Sequence, residues 1–572
     1  MLRCSPAVAR SCRRLLLTRR LLSSASSQCE EYDVVIVGGG PAGLALASAL
    51  GSSQNVRDNL KISLIEAGDL SKVREWSPVD GAFSNRCISL TNASQAFLKD
   101  IGAWTHVDEA RTGPIEEMEV WDGITDARIH FSASDLGLDA NTQEMSRITE
   151  NINFQRGLLR YLSTMPDLHL IDKTKVTSIV REDEDSGSWP LVHLDNNRIL
   201  RARLLIGADG FNSPVRKYAQ IPSYGWSYDT QAIVATMFHP PRGPFQGYNT
   251  TAYQRFLPTG PIAFLPISST ASSLVWSTRP QIATAIMASG PSVVARMINA
   301  AYRLPHDSLQ YLYNRILEHQ KAGTPITADE IIEEVGFRER ALGIDATSAY
   351  SSSHMVENTV ENQGIPPTDS EMLPPLVTSI QPGTVASFPL RFNHTEAYIG
   401  EGQGSRTVLV GDAAHTVHPL AGQGLNLGLA DVECLARVIN DAVLNGSDIG
   451  THTALLPYTR ERYFENHKMM SVFDKLHKLY TTSFGPIVQA RSMGLEVLNE
   501  FDTIKAAIML NAGSRPRQSE ASLRSTVFNL AGSALETASG MKKAADLAGG
   551  AVGSMVLNGI QQWMKSRPGP SS

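Results

Sequence analysis

Hydrophobic and polar positions follow two textures along this chain. In three places a short unbroken apolar run ends in glycine and passes into a helical stretch. The first is Tyr32–Leu50, YDVVIVGGGPAGLALASAL, followed by a second strand-like run, KISLIE, that ends at Glu66. The second is Arg203–Arg216, RLLIGADGFNSPVR, and the third is Thr407–Asp431, TVLVGDAAHTVHPLAGQGLNLGLAD. Apolar runs without polar alternation predict strands buried on both faces, as in a parallel sheet, and the Ala/Leu-rich continuations predict helices. Elsewhere the pattern alternates. Val176–Leu205 shows short runs broken by SGS and DNN turns, which predicts strands and a hairpin. Tyr218–Leu342 carries AIVATMF, AFLPI and SLVWS, which predicts a mostly antiparallel sheet with helices near Ser292–Tyr302 and Leu309–Lys321. Asn85–Ser94 reads as a loop and helix start, Ile148–Leu162 as a helix, and Val385–Ile399 as strand.

These textures predict an α/β fold made of discontinuous pieces. Residues 32–115, 145–222 and 395–445 form a Rossmann-like domain, and 116–144 with 223–394 form an antiparallel substrate domain. Within the latter, 345–375 is rich in Ser, Asn, Glu and Pro and reads as an exposed, mobile insertion. Helices are expected over 446–515, and 516–572 is an Ala/Gly-rich extension suited to helix packing or a membrane surface. A length of 572 residues is too great for one core, which agrees with two domains. The net charge of −6 argues against a nucleic-acid partner. No run of about 18 uncharged apolar residues is present to suggest a membrane span. The five cysteines, Cys4, Cys12, Cys29, Cys87 and Cys434, form no CxxC pair and no metal-ligand spacing, so no metal is expected. Residues 1–27 contain six arginines and many serines without an acidic residue, the pattern of a mitochondrial transit peptide.

The glycine positions carry the chemistry. Gly38, Gly40 and Gly43 occupy a GxGxxG between strand and helix. The first permits a tight turn, the second lets the backbone approach a pyrophosphate, and the third lets helix and strand pack closely. Glu66 ends the next strand, where a carboxylate can accept hydrogen bonds from ribose hydroxyls. Asp209 stands where a strand end meets a helix start. Asp412 cannot favour a phosphate by charge, so it suits a polyol. Gly422, Gly424 and Gly428 open a helix whose N–H groups face the loop. The first and third loops lie about 370 residues apart in sequence, and a single long cofactor bridging them suits FAD.

GxGxxG with Glu66, then GADG, then GDAAH followed by HPLAGQGLNLGLAD, resemble the flavoprotein aromatic hydroxylases of the para-hydroxybenzoate hydroxylase fold. The last element matches the UbiH-type branch that acts in ubiquinone biosynthesis. The resemblance covers Tyr32–Arg515 and implies an FAD-dependent monooxygenase hydroxylating position five of a polyprenylated hydroxybenzoate with O2. It implies that Gly38, Gly40, Gly43 and Glu66 hold the ADP half of FAD. Arg86, Asn151 and Asp209 would approach the flavin and its phosphates, and Asp412 the ribitol. Gly422, Gly424, Leu425 and Asn426 would present amides to the flavin edge. No catalytic side chain is implied, since the cofactor carries the oxygen chemistry; His415 and His418 are expected to shape their loop. Further implications are electrons from a ferredoxin and its reductase, other ubiquinone-biosynthesis proteins as partners, and peripheral attachment to the matrix side of the mitochondrial inner membrane. Two other readings are open at this point: a hydroxylase or epoxidase of another aromatic or isoprenoid substrate, and a subunit that binds FAD for structure.

Overall fold

The apolar run after Tyr32 becomes the middle of strand β1 (Cys29–Val37), with Val34, Val35 and Ile36 wholly buried. This is a computed structural model, and it describes residues 29–125, 127–136, 144–182, 188–242, 248–345, 348–352, 372–417, 422–500 and 505. The transit-like segment, the 516–572 extension and His418 lie outside those residues.

β1 is flanked on both sides by parallel neighbours, which is why its sequence is apolar throughout. On one side lie β2 (Ile62–Ile65) and β8 (Leu168–Ile171); on the other lies β11 (Ile199–Gly207), which also pairs in parallel with β18 (Thr407–Leu409). β10 (Pro190–Leu194) and β9 (Val176–Arg181) extend this sheet antiparallel, in agreement with the hairpin pattern. Register aligns the strand ends. Val37 pairs with both Ile65 and Gly207, and Gly207 pairs with Leu409. The strands therefore release Gly38, Glu66, Ala208 and Val410 at one common edge, where ligands of open parallel sheets bind. Helix α1 (Pro41–Ser52) packs against the long helix α7 (Gln423–Leu444) beside this edge.

A second sheet runs β19 (His415–Thr416), β17 (Ala386–Thr395), β12 (Ser223–Phe238), β15 (Ala271–Thr278), β14 (Gly260–Pro266), β13 (Thr251–Leu257), β5 (Glu117–Asp122), β6 (Arg128–Ser132), and β16 (Ser379–Ile380) pairs with β12. It is antiparallel except between β13 and β5. Helices α3 (Pro280–Ala288), α4 (Pro291–Arg303), α5 (His306–Ala322) and α6 (Ala328–Ala341) join its core, where Trp121, Phe264 and Trp276 meet Ile298, Leu309 and Ile331. The alternating pattern predicts the sheet and two of these helices; α3 and α6 are additional. β3 (Cys87–Thr91), β7 (Ser146–Glu150) and β4 (Thr112–Ile115) form a small third sheet.

Two boundaries differ from the sequence expectation. Asn85–Ser94 is expected as loop and helix start, yet Cys87–Thr91 is strand β3. Ile148 is expected in a helix, but helix α2 (Asn151–Leu162) begins after strand β7. The reason is shared: the β-branched Ile88, Ile148 and Thr149 pair across β3 and β7, and tertiary pairing overrides local helix preference. The expected insertion at 345–375 is described only at its ends. These ends are packed, since Leu373 is buried and the Ser352 backbone N–H donates to Glu339 Oε1 at 2.7 Å. Helices α8 (His452–Thr481) and α9 (Gly485–Asn499) fill much of the expected helical region.

Candidate functional site

The common edge of the first sheet opens into a cavity of about 620 Å³. Gly38 and Gly40, Glu66, Asp209, Asp412, and Gly422, Gly424 and Leu425 all line it, from four separate segments. Arg86 and Asn151 line it from the small sheet and the start of α2. Two expected residues do not. Gly43 lies below the surface, where an added Cβ would overlap the Gly38 carbonyl oxygen, so this glycine lets α1 sit against the loop. Asn426 is buried too. Its side chain accepts from the Thr91 N–H at 3.0 Å and donates to the Ser89 carbonyl at 2.7 Å, tying α7 to β3 rather than facing the cavity.

The glycines of the lining are needed by close approach. Gly38 has φ +110°, and a Cβ there would overlap the Ala208 carbonyl. Two helix N-termini reach the cavity, those of α1 and α7. Neither has a side-chain cap or an acidic residue in its first turn. Their free N–H groups therefore supply positive potential without a competing carboxylate. The Glu66 carboxylate is held in place by the Gly39 N–H at 2.5 Å and the Gly68 N–H at 2.6 Å. Asp209 Oδ2 accepts from the Val215 N–H at 3.1 Å at the start of the short helix Pro214–Tyr218, while its Oδ1 is buried with no hydrogen-bond partner among the described residues. Burial pushes the Asp209 carboxyl above the usual range. Asn151 Oδ1 is likewise buried and unpartnered among the described residues. Asp412 is open to solvent through the cavity it lines. The surrounding protein still raises its pKa, with His415 acting the other way. Arg86 is exposed, and its guanidinium has no partner among the described residues.

One clamp holds the third loop in place, centred on the acid that ends the HPLAGQGLNLGLAD motif, a residue to which the motif assigned no role. Asp431 is fully buried on α7. Its Oδ2 faces His415 Nε2 at 2.6 Å and accepts from the Gly411 N–H at 3.1 Å. Its Oδ1 accepts from Arg462 Nε at 3.0 Å and Asn466 Nδ2 at 2.8 Å, both on α8. Burial alone would raise this carboxyl; His415, Arg462 and Asn466 outweigh it and hold the pKa at about 2. The expected loop-shaping role suits His415, which is buried in this clamp and does not line the cavity. The sequence signal for such a centre is its place as the last residue of HPLAGQGLNLGLAD; an acid among buried Leu427, Leu429, Val432 and Leu435 does not single it out, since Glu433 follows two residues later.

A second cavity of about 420 Å³ adjoins the first. Met118, Val120, Phe131, Phe256, Leu495 and Leu498 make its walls apolar. The two cavities share the first turn of α7: Gln423 lines the apolar one, while Gly422 and Gly424 line the glycine-rich one. Ser89 stands on the apolar side, and a Cβ on Gly422 would come within 3.0 Å of its Cβ. Arg491 lines the cavity wall but is spent on Asp122, with Nε to Oδ2 at 2.6 Å and a second bond at 3.0 Å.

The model of the FAD binding domain family matches residues 31–296 and 367–471. The mitochondrial ubiquinone biosynthesis monooxygenase COQ6 of Saccharomyces cerevisiae is 37% identical, over 88% of this chain and 98% of that protein. The corresponding proteins of Schizosaccharomyces pombe and Homo sapiens are 35% and 32% identical, each over 86% of this chain and over 94% and 95% of their own length. Among solved structures, PqsL, a probable FAD-dependent monooxygenase from Pseudomonas aeruginosa, superposes with a TM-score of 0.54 at 18% identity, covering 82% of this chain and 99% of its own. p-Nitrophenol 4-monooxygenase PnpA from Pseudomonas putida does so with a TM-score of 0.56 at 15% identity, covering 86% and 100%. These two show the fold.

Proposed function

The chain belongs to the ubiquinone biosynthesis monooxygenases built on the FAD binding domain, and from that premise we propose which residues hold the cofactor, what the substrate is and where the protein works. It is an FAD-dependent monooxygenase. In our reading, segments 32–115, 145–222 and 395–445 hold FAD, and 116–144 with 223–394 build the substrate side.

The residues present fit FAD. The Gly38–Gly40 loop and the uncapped N-terminus of α1 receive the pyrophosphate. Glu66, already aimed by two backbone amides, accepts from the adenosine ribose. Asp209 Oδ1 and Asn151 Oδ1 are buried acceptors in want of donors, which the hydroxyl and amide groups of such a cofactor supply. Asp412 takes the ribitol side, and Arg86 meets the phosphates or the flavin edge. The N-terminal amides of α7 from Gly422 to Leu425 favour negative charge at the ring. FAD, when bound, supplies the electron transfer and oxygen activation. The apolar cavity excludes water next to that chemistry and takes a hydrocarbon tail, while Gln423 and Ser89 lie where a phenolic ring would meet the shared wall.

The substrate we assign is a polyprenylated hydroxybenzoate, hydroxylated at ring position five with O2. The single observation that carries it is the apolar cavity sharing a helix turn with the glycine-lined one. The electron donor we assign is a ferredoxin with its reductase, and the setting a complex of ubiquinone-biosynthesis proteins. The relatives are named mitochondrial. Among the described residues no helix is long and apolar enough to cross a membrane. We assign the protein a peripheral place on the matrix face of the inner membrane. The test is turnover of FAD-loaded protein with reduced ferredoxin, O2 and a short-chain prenyl-hydroxybenzoate. A product heavier by one oxygen, with the new hydroxyl at position five by NMR, is expected. Hydroxylation of unprenylated rings only, or at another carbon, would refute the assignment.

A further inference from the structure

The helical hairpin beside the apolar cavity has an unusual outer face. On α8, Phe464, Val472 and Leu479 are exposed at 66%, 43% and 38%. Their spacings of eight and seven residues put them on one stripe of the helix. Lys468 and Lys475 fall on the same stripe, four and three residues after Phe464 and Val472. The stripe runs on to Phe484, just before α9, and Ile487 in its first turn, exposed at 63% and 41%. From Lys475 to Leu495 the sequence holds no acidic residue; Lys475 and Lys478 are exposed, and the Lys478 ammonium pairs with Asp474 at 2.7 Å. The inner side of the same hairpin is the cavity wall: Leu476 and Leu479 of α8 and Leu495 and Leu498 of α9 line it. Leu479 belongs to both surfaces, so the apolar cavity reaches the outer face there.

We infer that this hairpin is the surface by which the enzyme docks on an anionic lipid bilayer, with Phe484 and Ile487 inserted among the acyl chains and Lys475 at the headgroups. Two observations choose a membrane over a protein partner. Large apolar side chains interleaved with lysines are the composition of an interfacial helix surface, in which the apolar groups enter the acyl boundary and the lysines meet anionic headgroups. The continuity through Leu479 gives a bilayer-dissolved hydrocarbon tail a way into the cavity without crossing water. This second argument rests on the prenylated-substrate reading; the first does not.

The experiment is flotation of the FAD-loaded full chain with phosphatidylcholine vesicles, with and without cardiolipin. Wild type is expected to float with the cardiolipin vesicles and to be released by high salt. F484E/I487E is expected to partition about tenfold less or weaker, with unchanged FAD content and unchanged hydroxylation of a short-chain substrate in solution. Hydrogen–deuterium exchange on wild type, which needs no variant, should slow between Phe484 and Gly494 when vesicles are added. Equal flotation of variant and wild type, or protection elsewhere, would overturn the inference. So would a wild-type dimer that the two substitutions dissolve, since the occupant would then be a second copy. Vesicle binding that depends on Phe484 and Ile487 in a protein that hydroxylates no prenylated ring would leave the docking surface standing and remove only the substrate reading.

Discussion

Asp431→Asn tests the clamp under the third loop, because it keeps the side-chain volume and removes the charge. In the wild type both carboxylate oxygens accept: Oδ2 from Gly411 N–H, with His415 Nε2 at 2.6 Å, and Oδ1 from Arg462 and Asn466. An amide has one acceptor oxygen. If its NH₂ turns toward Gly411, two N–H donors face each other in a dry site. If it turns toward α8, the Arg462 Nε loses the carboxylate oxygen it donates to. Removing one partner of a buried ion pair costs about 3–5 kcal/mol. The pKa gives an independent figure. Asp431 is held at about 2 against an ordinary 3.8, which corresponds to about 2 kcal/mol of preference for the charged form in the folded state. The folded pKa is depressed, so this stabilisation is whole above pH 3.8 and is lost as pH falls through about 2.

The assay is thermal melting with flavin fluorescence, which reports unfolding and FAD release together. The variant should melt several degrees lower and release FAD earlier, because Gly411 leads into Asp412. A double-mutant cycle with Arg462→Met should show coupling of about 1–3 kcal/mol. Additive effects, or a variant with wild-type melting and FAD retention at pH 7, would refute the view that Asp431 positions the loop by its charge.

The same geometry sets three other outcomes. Gly43→Ala places a methyl in the Gly38 carbonyl, so purified protein should carry little or no flavin absorbance. Glu66→Gln leaves one of the Gly39 and Gly68 N–H groups without an acceptor; FAD affinity by titration calorimetry should fall about tenfold, while melting of the cofactor-free protein moves little. Leu495→Trp fills part of the apolar cavity and should raise KM for long-tailed substrates more than for short-tailed ones, with FAD affinity unchanged.

The parallel core and the cavity lining are legible in the sequence because their determinants are local. A buried parallel strand is apolar at every position, and a backbone that must pass close to a carbonyl can only be glycine. Runs such as VVIV before GGG therefore announce both strand and site. Asn426 shows the limit of that reasoning. Spacing gives Gly43 its close-packing role, while it cannot say that Asn426 faces β3 rather than the cavity. Arg462 and Asn466 are beyond reach for a different reason. They sit on a mixed polar helix, and only the packing of α8 against α7 turns them into the partners of one buried carboxylate. Strand β3 escapes a sequence reading because CISLT is short and runs directly into helix-forming residues, so that pairing with β7, a long-range fact, decides its state.

The first turn of α7 explains why the two cavities belong to one machine. Gly422 is left-handed at φ +64°, which turns the chain sharply enough for Gln423 to face the apolar side while Gly424 and Leu425 face the glycine-lined side. A residue with a side chain at 422 would be strained and would press on Ser89. Asn426, one turn on, locks the same segment to β3 through Ser89 and Thr91, and Asp431 locks it to Gly411 and α8. Three separate restraints thus converge on this short segment. In the proposed reading, a substrate held against Gln423 and a cofactor held against Gly424 would have their separation set by a single helical turn, which is the positioning an oxygen transfer between two bound molecules requires. Loosening any one restraint should uncouple cofactor reduction from hydroxylation before it abolishes binding of either ligand, and peroxide release measured beside product formation would register that uncoupling.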